Sequence, residues 1–278
     1  MNSVFAGSNV LVRGIILFLL LGTVIGFVYW GTTRSGKILT ENLVEPLNGI
    51  TNAKVNLNTR EGNLTIDPLP AGDQILARGT LQYSEKQGLP TQTLDSSSSQ
   101  AAFSVKGNNN GQHSFRLPWV TKNEAIEWQI YLNPAVFSDI TAHSGGGNVN
   151  LDLTGMVVTN VWTDTGGGNI DVILPDNTAN LSVTAKTGAG NVTIEIGNGI
   201  TGISSINATS GAGKVIIHAP AGIATKIHAT SGMGKVTLNP RFVKIDSNTY
   251  QSPDYESAVN KIEITINSGA GDVTVTIR

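Results

Sequence analysis

The main pattern in this chain is an alternation of apolar and polar residues on both sides of a recurring glycine triplet. Successive triplets start 21, 22, 23, 21 and 37 residues apart. Alternation with a period of two predicts β-strands, and a repeat of twenty-odd residues predicts a stack of similar coils. The first glycines of the triplets are Gly145, Gly166, Gly188, Gly211, Gly232 and Gly269.

The same template surrounds each triplet. Apolar residues occupy the second, fourth and sixth positions after the triplet and the fifth position before it. Pro240 is the one clear exception. Ser or Thr directly precedes each triplet. We predict that each coil consists of a strand, a glycine corner, a second strand and a return loop, with the apolar positions of all coils facing one core. The positions after the triplets hold Val149, Leu151, Leu153; Ile170, Val172, Leu174; Val192, Ile194, Ile196; Val215, Ile217, Ala219; Val236, Leu238, Pro240; and Val273, Val275, Ile277.

The outer glycines of the triplets are the predicted structural corners. Glycine permits a positive φ and a close approach of two backbones, so we expect the corners to stack in register. They are Gly145, Gly147, Gly166, Gly168, Gly188, Gly190, Gly211, Gly213, Gly232, Gly234, Gly269 and Gly271.

These features predict an all-β fold: a single-domain β-solenoid over residues 50–278, similar to a parallel β-helix, with coils of about 21 residues. A degenerate coil with its corner at Gly62 opens it. Residues 72–124 are less regular and are interpreted as a cap, with Trp119 and Trp128 available to shield the end of the core. Residues 32–49 are interpreted as a linker in which LTENLVEPL forms a short helix.

Residues 241–260 form an insertion before the last coil. Insertions in repeat proteins often lie on a binding face, which makes Tyr250, Ser252 and Tyr255 a candidate interaction loop. The alternative is that these tyrosines cover the C-terminal end of the core. The sequence leaves both open.

Residues 14–31 are free of charge and predict one transmembrane helix after a short N-terminal tail, residues 1–13. No signal-peptidase site follows the helix, which favours an uncleaved anchor. The flanking charges, Arg13 against Arg34 and Lys37, are nearly balanced, so the orientation is open. Gly22 and Gly26 have the spacing of a helix-packing motif, although ordinary glycine use in a membrane helix explains them as well.

Composition narrows the classes of partner. Charged residues are 14% of the chain and the formal net charge is −2, so a nucleic-acid partner is not expected. The chain has no cysteine, which excludes disulfides and thiol chemistry.

Candidate chemistry is sparse, and we predict no catalytic, cofactor or metal site. His143 and His228 fall in adjacent outward columns several layers apart, which does not favour a metal site. Asp171 and Glu195 are outward carboxylates on neighbouring coils, at a separation compatible with a glycoside hydrolase pair. No cationic cluster accompanies them, so solvated surface charges are the favoured interpretation.

The motifs together resemble the bacterial toast-rack and adhesin-like family of cell-envelope proteins. The resemblance rests on the G-A-G-[NDK]-[VI] corners, on residues 127–175 and on the ending DSNTYQSPDYESAVNKIEITINSGAGDVTVTI. It implies a β-solenoid, frequently tethered by one membrane helix, without known catalytic or cofactor residues. The family is related to a regulator of an envelope-stress two-component system, whose multi-span N-terminus this chain lacks.

We therefore expect a non-enzymatic protein of the cytoplasmic membrane, anchored by residues 14–31, with its solenoid outside the cytoplasm. Its expected partner is a wall polymer, a glycan or an envelope protein, met through outward rows of Thr, Asn and Lys. These rows are Thr141, Thr184, Asn207 and Thr265 in one column and Lys186, Thr209, Thr230 and Asn267 in the next. The alternatives are a membrane-bound regulator of envelope-stress signalling and a carbohydrate-active enzyme that uses Asp171 and Glu195.

Overall fold

The structure is a computed structural model that describes residues 37–108 and 126–278. The described chain is all-β, and none of it forms a helix long and apolar enough to cross a membrane. The predicted membrane segment with Gly22 and Gly26 lies outside the described residues, as does Trp119.

Twenty-one strands form two sheets within the described residues. They are β1 (Ile38–Pro46), β2 (Asn52–Asn58), β3 (Asn63–Pro68), β4 (Ile75–Ser84), β5 (Thr91–Ser97), β6 (Gln100–Lys106), β7 (Glu127–Leu132), β8 (Phe137–Ser144), β9 (Val149–Asp152), β10 (Val158–Thr165), β11 (Ile170–Ile173), β12 (Ser182–Ala189), β13 (Val192–Glu195), β14 (Ile203–Ala212), β15 (Val215–Ala219), β16 (Ala224–Ser231), β17 (Val236–Leu238), β18 (Val243–Lys244), β19 (Thr249–Gln251), β20 (Lys261–Ala270) and β21 (Val273–Ile277).

The strands are stacked in layers, each layer giving one strand to each sheet. In space the layers run β6–β7, β2–β3, β8–β9, β10–β11, β12–β13, β14–β15, β20–β21 and β16–β17. Neighbouring layers pair in parallel in both sheets. Antiparallel strands extend the ends: β4 and β1 in the ten-stranded sheet, and β5 at one end and β19 and β18 at the other in the eleven-stranded sheet.

The layers do not stack in chain order at either end. The coil β20–β21 lies between β14–β15 and β16–β17, and β2–β3 lies between β6–β7 and β8–β9. The first and last coils are therefore each covered by a coil from further inside the chain. This arrangement pairs both edges of these coils, which removes open edges that could template aggregation.

The N-terminal region is more regular than the sequence predicts. The helix expected within the linker is wrong, because residues 38–46 form β1, antiparallel to β4, and bury Leu43. Residues 75–106 of the predicted irregular cap form β4, β5 and β6. Pairing with an open sheet edge outweighs the weak helix propensity of a nine-residue segment. Trp128 is buried at this end and donates its indole N–H to the Gln82 carbonyl, 2.9 Å away.

The predicted inward positions form the core between the two sheets. The apolar residues after the first four triplets are buried, as are the fifth and third residues before all six. Val236 and Leu238 are only half-buried, because β17 is the last strand of its sheet. Pro240 falls outside the strands.

Close backbone approach explains the corner glycines. A Cβ on Gly166 would lie 2.3 Å from the Gly145 carbonyl oxygen, and a Cβ on Gly168 would lie 2.2 Å from that of Gly147. A Cβ on any of the other corner glycines would likewise overlap a backbone carbonyl oxygen of an adjacent layer. A positive φ occurs only at Gly190 and Gly213 among the twelve, so space rather than backbone conformation is the general requirement.

The middle position of the triplet faces open space. A Cβ on Gly146 or Gly167 would meet no atom within 4 Å. The same position therefore tolerates alanine at Ala189, Ala212 and Ala270 and methionine at Met233.

The Ser or Thr before each triplet bonds the layers together. Its hydroxyl donates to the carbonyl of the last corner glycine in the adjacent layer, at 2.7–2.9 Å in all six coils. The donors are Ser144, Thr165, Thr187, Ser210, Ser231 and Ser268.

A second ladder of hydrogen bonds lies directly after the triplets. There, the side-chain oxygen of an Asn in one layer accepts a hydrogen bond from a backbone N–H of the next layer, and all four bonds are 2.9 Å long. The acceptors are Asn63, Asn148, Asn169 and Asn191.

The insertion extends the C-terminal end of the eleven-stranded sheet through β18 and β19 and buries two of the three candidate residues. Ser252 is fully buried and Tyr255 is 5% exposed. Ser252 donates its backbone N–H to the Thr225 carbonyl and accepts the Thr225 N–H on its hydroxyl, both at 2.9 Å. The ring of Tyr255 lies 5.1 and 4.8 Å from the ammonium groups of Lys226 and Lys261. Tyr250 is half-buried against the core. Tyr250 thus has the covering role considered for these tyrosines, whereas Tyr255 packs on the outward side chains of β16 and β20.

Replacing an outer corner glycine will destabilise the fold far more than replacing the middle one. We expect Gly168→Ala to lower the free energy of unfolding by about 3 kcal/mol, because its Cβ would overlap the Gly147 carbonyl. Gly167→Ala is the matched control and should change it by less than about 0.5 kcal/mol. Urea unfolding of the full chain in detergent measures both. Equal effects would contradict the backbone contact.

Tyr255 should make the stability of the C-terminal end sensitive to alkaline pH. Burial, together with the hydrogen bond from its hydroxyl to Glu263 at 2.7 Å, raises the pKa of Tyr255 to about 12. The folded state therefore holds this proton more tightly than the unfolded state. The resulting stability is present below pH 10 and is lost as the pH rises from 10 towards 12.

We expect Tyr255→Phe to be less stable at pH 9 but to lose less stability between pH 10 and 12 than the wild type. Urea unfolding across this range gives both slopes, and Glu263→Gln should lower the pKa of the tyrosine in an absorbance titration. Parallel slopes for wild type and Tyr255→Phe would show that this proton is not linked to folding.

Candidate binding surface

The outward face of the eleven-stranded sheet carries polar residues in register across successive layers. One column runs through Asn56, Thr141, Trp162, Thr184, Asn207, Thr265 and His228. The next runs through Asn58, His143, Asp164, Lys186, Thr209, Asn267 and Thr230. The predicted columns are confirmed, but the interleaved layer order places Asn267 between Thr209 and Thr230.

The threonines and asparagines of the first column nearest Trp162 differ from the corner residues in their hydrogen bonding. Within the part of the chain that the structure describes, the side chains of Thr141, Thr184 and Asn207 have no hydrogen-bond partner. The corner Ser, Thr and Asn residues differ, since they bond to the adjacent layer. The face therefore presents hydroxyl and amide groups that are satisfied only by solvent or a ligand.

Trp162 stands in the middle of this polar face. It is 37% exposed, and its two column neighbours are the short side chains of Thr141 and Thr184. Its indole N–H has no partner among the described residues, whereas that of buried Trp128 does. The sequence reasoning missed Trp162, although its place four residues before Gly166 is an outward position of the template.

His143 and Asp164 form a cross-layer pair beside Trp162. His143 Nδ1 lies 2.7 Å from Asp164 Oδ1, with both side chains partly exposed. Both residues are two positions before their triplets, which would have identified them as neighbours. His218 and His228 contact Thr276 and Thr249 instead. Over residues 37–108 and 126–278, no group of three His, Cys, Asp or Glu side chains could hold a metal ion.

The candidate hydrolase carboxylates lie on the other face, on the ten-stranded sheet. Asp171 is opposite Thr193, and Glu195 is opposite Ile173, so the two acids are offset by one outward step as expected. Glu195 forms an ion pair with the guanidinium of Arg278, which the sequence did not indicate. This carboxylate is thus engaged by the protein itself.

The remaining candidates do not extend the surface. Ser252 and Tyr255 are buried in the C-terminal cap. The corner glycines lie along one edge of the stack, where each coil turns from one sheet to the other. Gly22 and Gly26 fall outside the described residues, so their role in helix packing stays a prediction.

Comparison with solved structures supports the fold. The chain is similar to a "putative cell adhesion protein" from Clostridium sporogenes, with 23% identity and a TM-score of 0.62, covering 87% of this chain and 100% of that one. A "putative adhesin" from Bacteroides fragilis is more distant, with 11% identity, a TM-score of 0.39 and coverage of 87% and 98%. At these identities, the first similarity concerns the fold, and the second carries no further argument.

Comparison with curated proteins found no match. The family model described as the N-terminal domain of toast_rack, DUF2154, matches residues 33–195. This match spans more than half of the chain, from the segment before β1 to the end of β13. The family expected from the glycine corners is therefore confirmed, and the chain belongs to the toast_rack family.

Proposed function

We propose that this protein is a non-enzymatic, membrane-anchored module of the bacterial cell envelope that binds an envelope component. The observation that carries the proposal is the outward face of the eleven-stranded sheet. It holds hydroxyl and amide groups in register that have no partner among the described residues, together with the exposed Trp162. A rigid face of this kind suits the recognition of an extended polymer better than the enclosure of a small substrate.

The comparisons support this proposal. The toast_rack match and the shared fold with a protein described by its name as a cell adhesion protein agree with an adhesin-like role. The ion pair between Glu195 and Arg278 does not favour catalysis by this acid.

The anchor would orient the stack. Residues 14–31 form the membrane helix in this proposal, and β1 begins at Ile38. The residues between them span at most about 20 Å. The β1 end of the stack would then lie near the membrane, and the cap around β18 and β19 would point away from it.

The experiment that tests this placement is cysteine labelling in intact cells. The chain has no cysteine, so a single introduced thiol reports alone. Val259 is 83% exposed, and we expect Val259→Cys to react with a membrane-impermeant maleimide. Ser8→Cys in the N-terminal tail should react only after permeabilisation.

Ser252→Cys is a matched control in the same insertion, because its side chain is buried. It should stay unreactive in permeabilised cells and react after denaturation. Labelling of Ser8→Cys and protection of Val259→Cys in intact cells would place the stack in the cytoplasm and overturn the proposal.

A further inference from the structure

Trp162 is exposed in the middle of its strand, whereas Phe137 and Ile203, which are also exposed on this sheet, are the first residues of β8 and β14. Its layer, β10–β11, has layers on both sides, so its exposure is not an effect of the end of the stack. The neighbouring positions on β8 and β12 are Thr141 and Thr184, which are too short to cover an indole ring. On its own strand the flanking outward residues are Asn160 and Asp164. The ring is therefore approachable along the stacking direction from both sides.

An exposed indole surrounded by hydroxyl and amide groups matches the surface of a sugar ring. A pyranose presents a face of C–H groups, which packs on an aromatic ring, and a rim of hydroxyl groups, which need donors and acceptors. Tryptophan has the largest aromatic surface and an N–H donor. Thr141, Thr184 and Asn207 carry hydroxyl and amide groups without partners among the described residues.

The charge of the patch favours an uncharged ligand. Around Trp162, the two acids Asp139 and Asp164 are balanced by the basic residues Lys186 and His143. Asp164 is already paired with His143. Further along the column, Thr184, Asn207 and Thr265 are neutral. A strongly anionic polymer would find no concentrated positive charge on this part of the face.

The layer spacing fits a polymer. Parallel neighbouring strands lie about 4.8 Å apart, which is comparable with the advance per sugar of an extended β-linked chain. The Trp162 column runs through seven successive layers, a distance of about 29 Å. Successive sugars of a chain lying along it would each meet one layer.

We infer that Trp162 is the stacking platform of a binding site for an uncharged, β-linked glycan of the cell wall. In this site the glycan lies along the column from Thr141 to Asn207. The inference rests on the proposed envelope function, because that function would bring the face next to the wall. It goes beyond that function by naming the ligand class and the residue that binds it.

Calorimetric titration with chito-oligosaccharides of two to eight sugars tests the site. The full chain should be held in lipid nanodiscs, which avoid sugar-based detergents. We expect affinity to rise with chain length, to resist 0.5 M salt and to fall at least about tenfold in Trp162→Ala, the effect of losing one stacking contact. Trp162→Tyr should keep most of the affinity.

Ile173→Ala is the control for exposed apolar surface, since Ile173 is 39% exposed on the opposite sheet, and it should bind as the wild type does. Circular dichroism and urea unfolding should show that Trp162→Ala keeps its fold.

Three results would overturn the inference: no binding of any oligosaccharide, equal binding by wild type and Trp162→Ala, or binding that disappears in salt. Any of these would leave the envelope function intact if the labelling places the stack outside the cell. A stack placed in the cytoplasm would instead remove the envelope function, whatever the oligosaccharides do.

Discussion

The fold depends on the contact between corner glycines of adjacent layers. At each corner the carbonyl oxygen of one layer lies where a side chain would stand on the next, so only glycine lets the layers meet. This contact sets the layers at the spacing that strand pairing requires. It also keeps the register, so that Val183, for example, lies directly between Val161 and Ile206 in the core. A one-residue slip would turn the apolar rows of both sheets outwards.

Polar groups have two distinct roles in this architecture. At the corners, the hydroxyl of Thr165 and the amide of Asn148 bond to the backbone of adjacent layers and hold the stack together. On the outward face, Thr184 and Asn207 have the same chemistry, but no described residue uses it. The corners thus stabilise the stack, while the face has groups left for a ligand. The low charge of the chain agrees with this division, since neither role needs an ion.

The sequence predicted the features that recur in every coil. Strands, buried positions and outward columns follow from residues such as Ile170 and Thr184, because each occupies a fixed offset from its triplet. Layer order has no such local signal: nothing around Gly269 shows that its coil lies between those of Gly211 and Gly232. The same limit explains β1, whose helix-like composition is outweighed by pairing with β4. The offsets from the triplets were enough to place Trp162 on the outward face and His143 beside Asp164. They could not predict the ion pair of Glu195 with Arg278, because Arg278 follows the last strand and has no counterpart in the repeat.

The interleaved order of the layers is the central structural claim, and disulfide formation tests it most directly. Asn207 is directly opposite Thr265, and Thr265 is opposite His228, so Asn207 and His228 are two layers apart. A disulfide spans one layer of about 4.8 Å but not two. The account predicts that Asn207→Cys with Thr265→Cys forms a disulfide on oxidation and that Asn207→Cys with His228→Cys does not. A disulfide in the second pair only would show stacking in chain order and contradict the account.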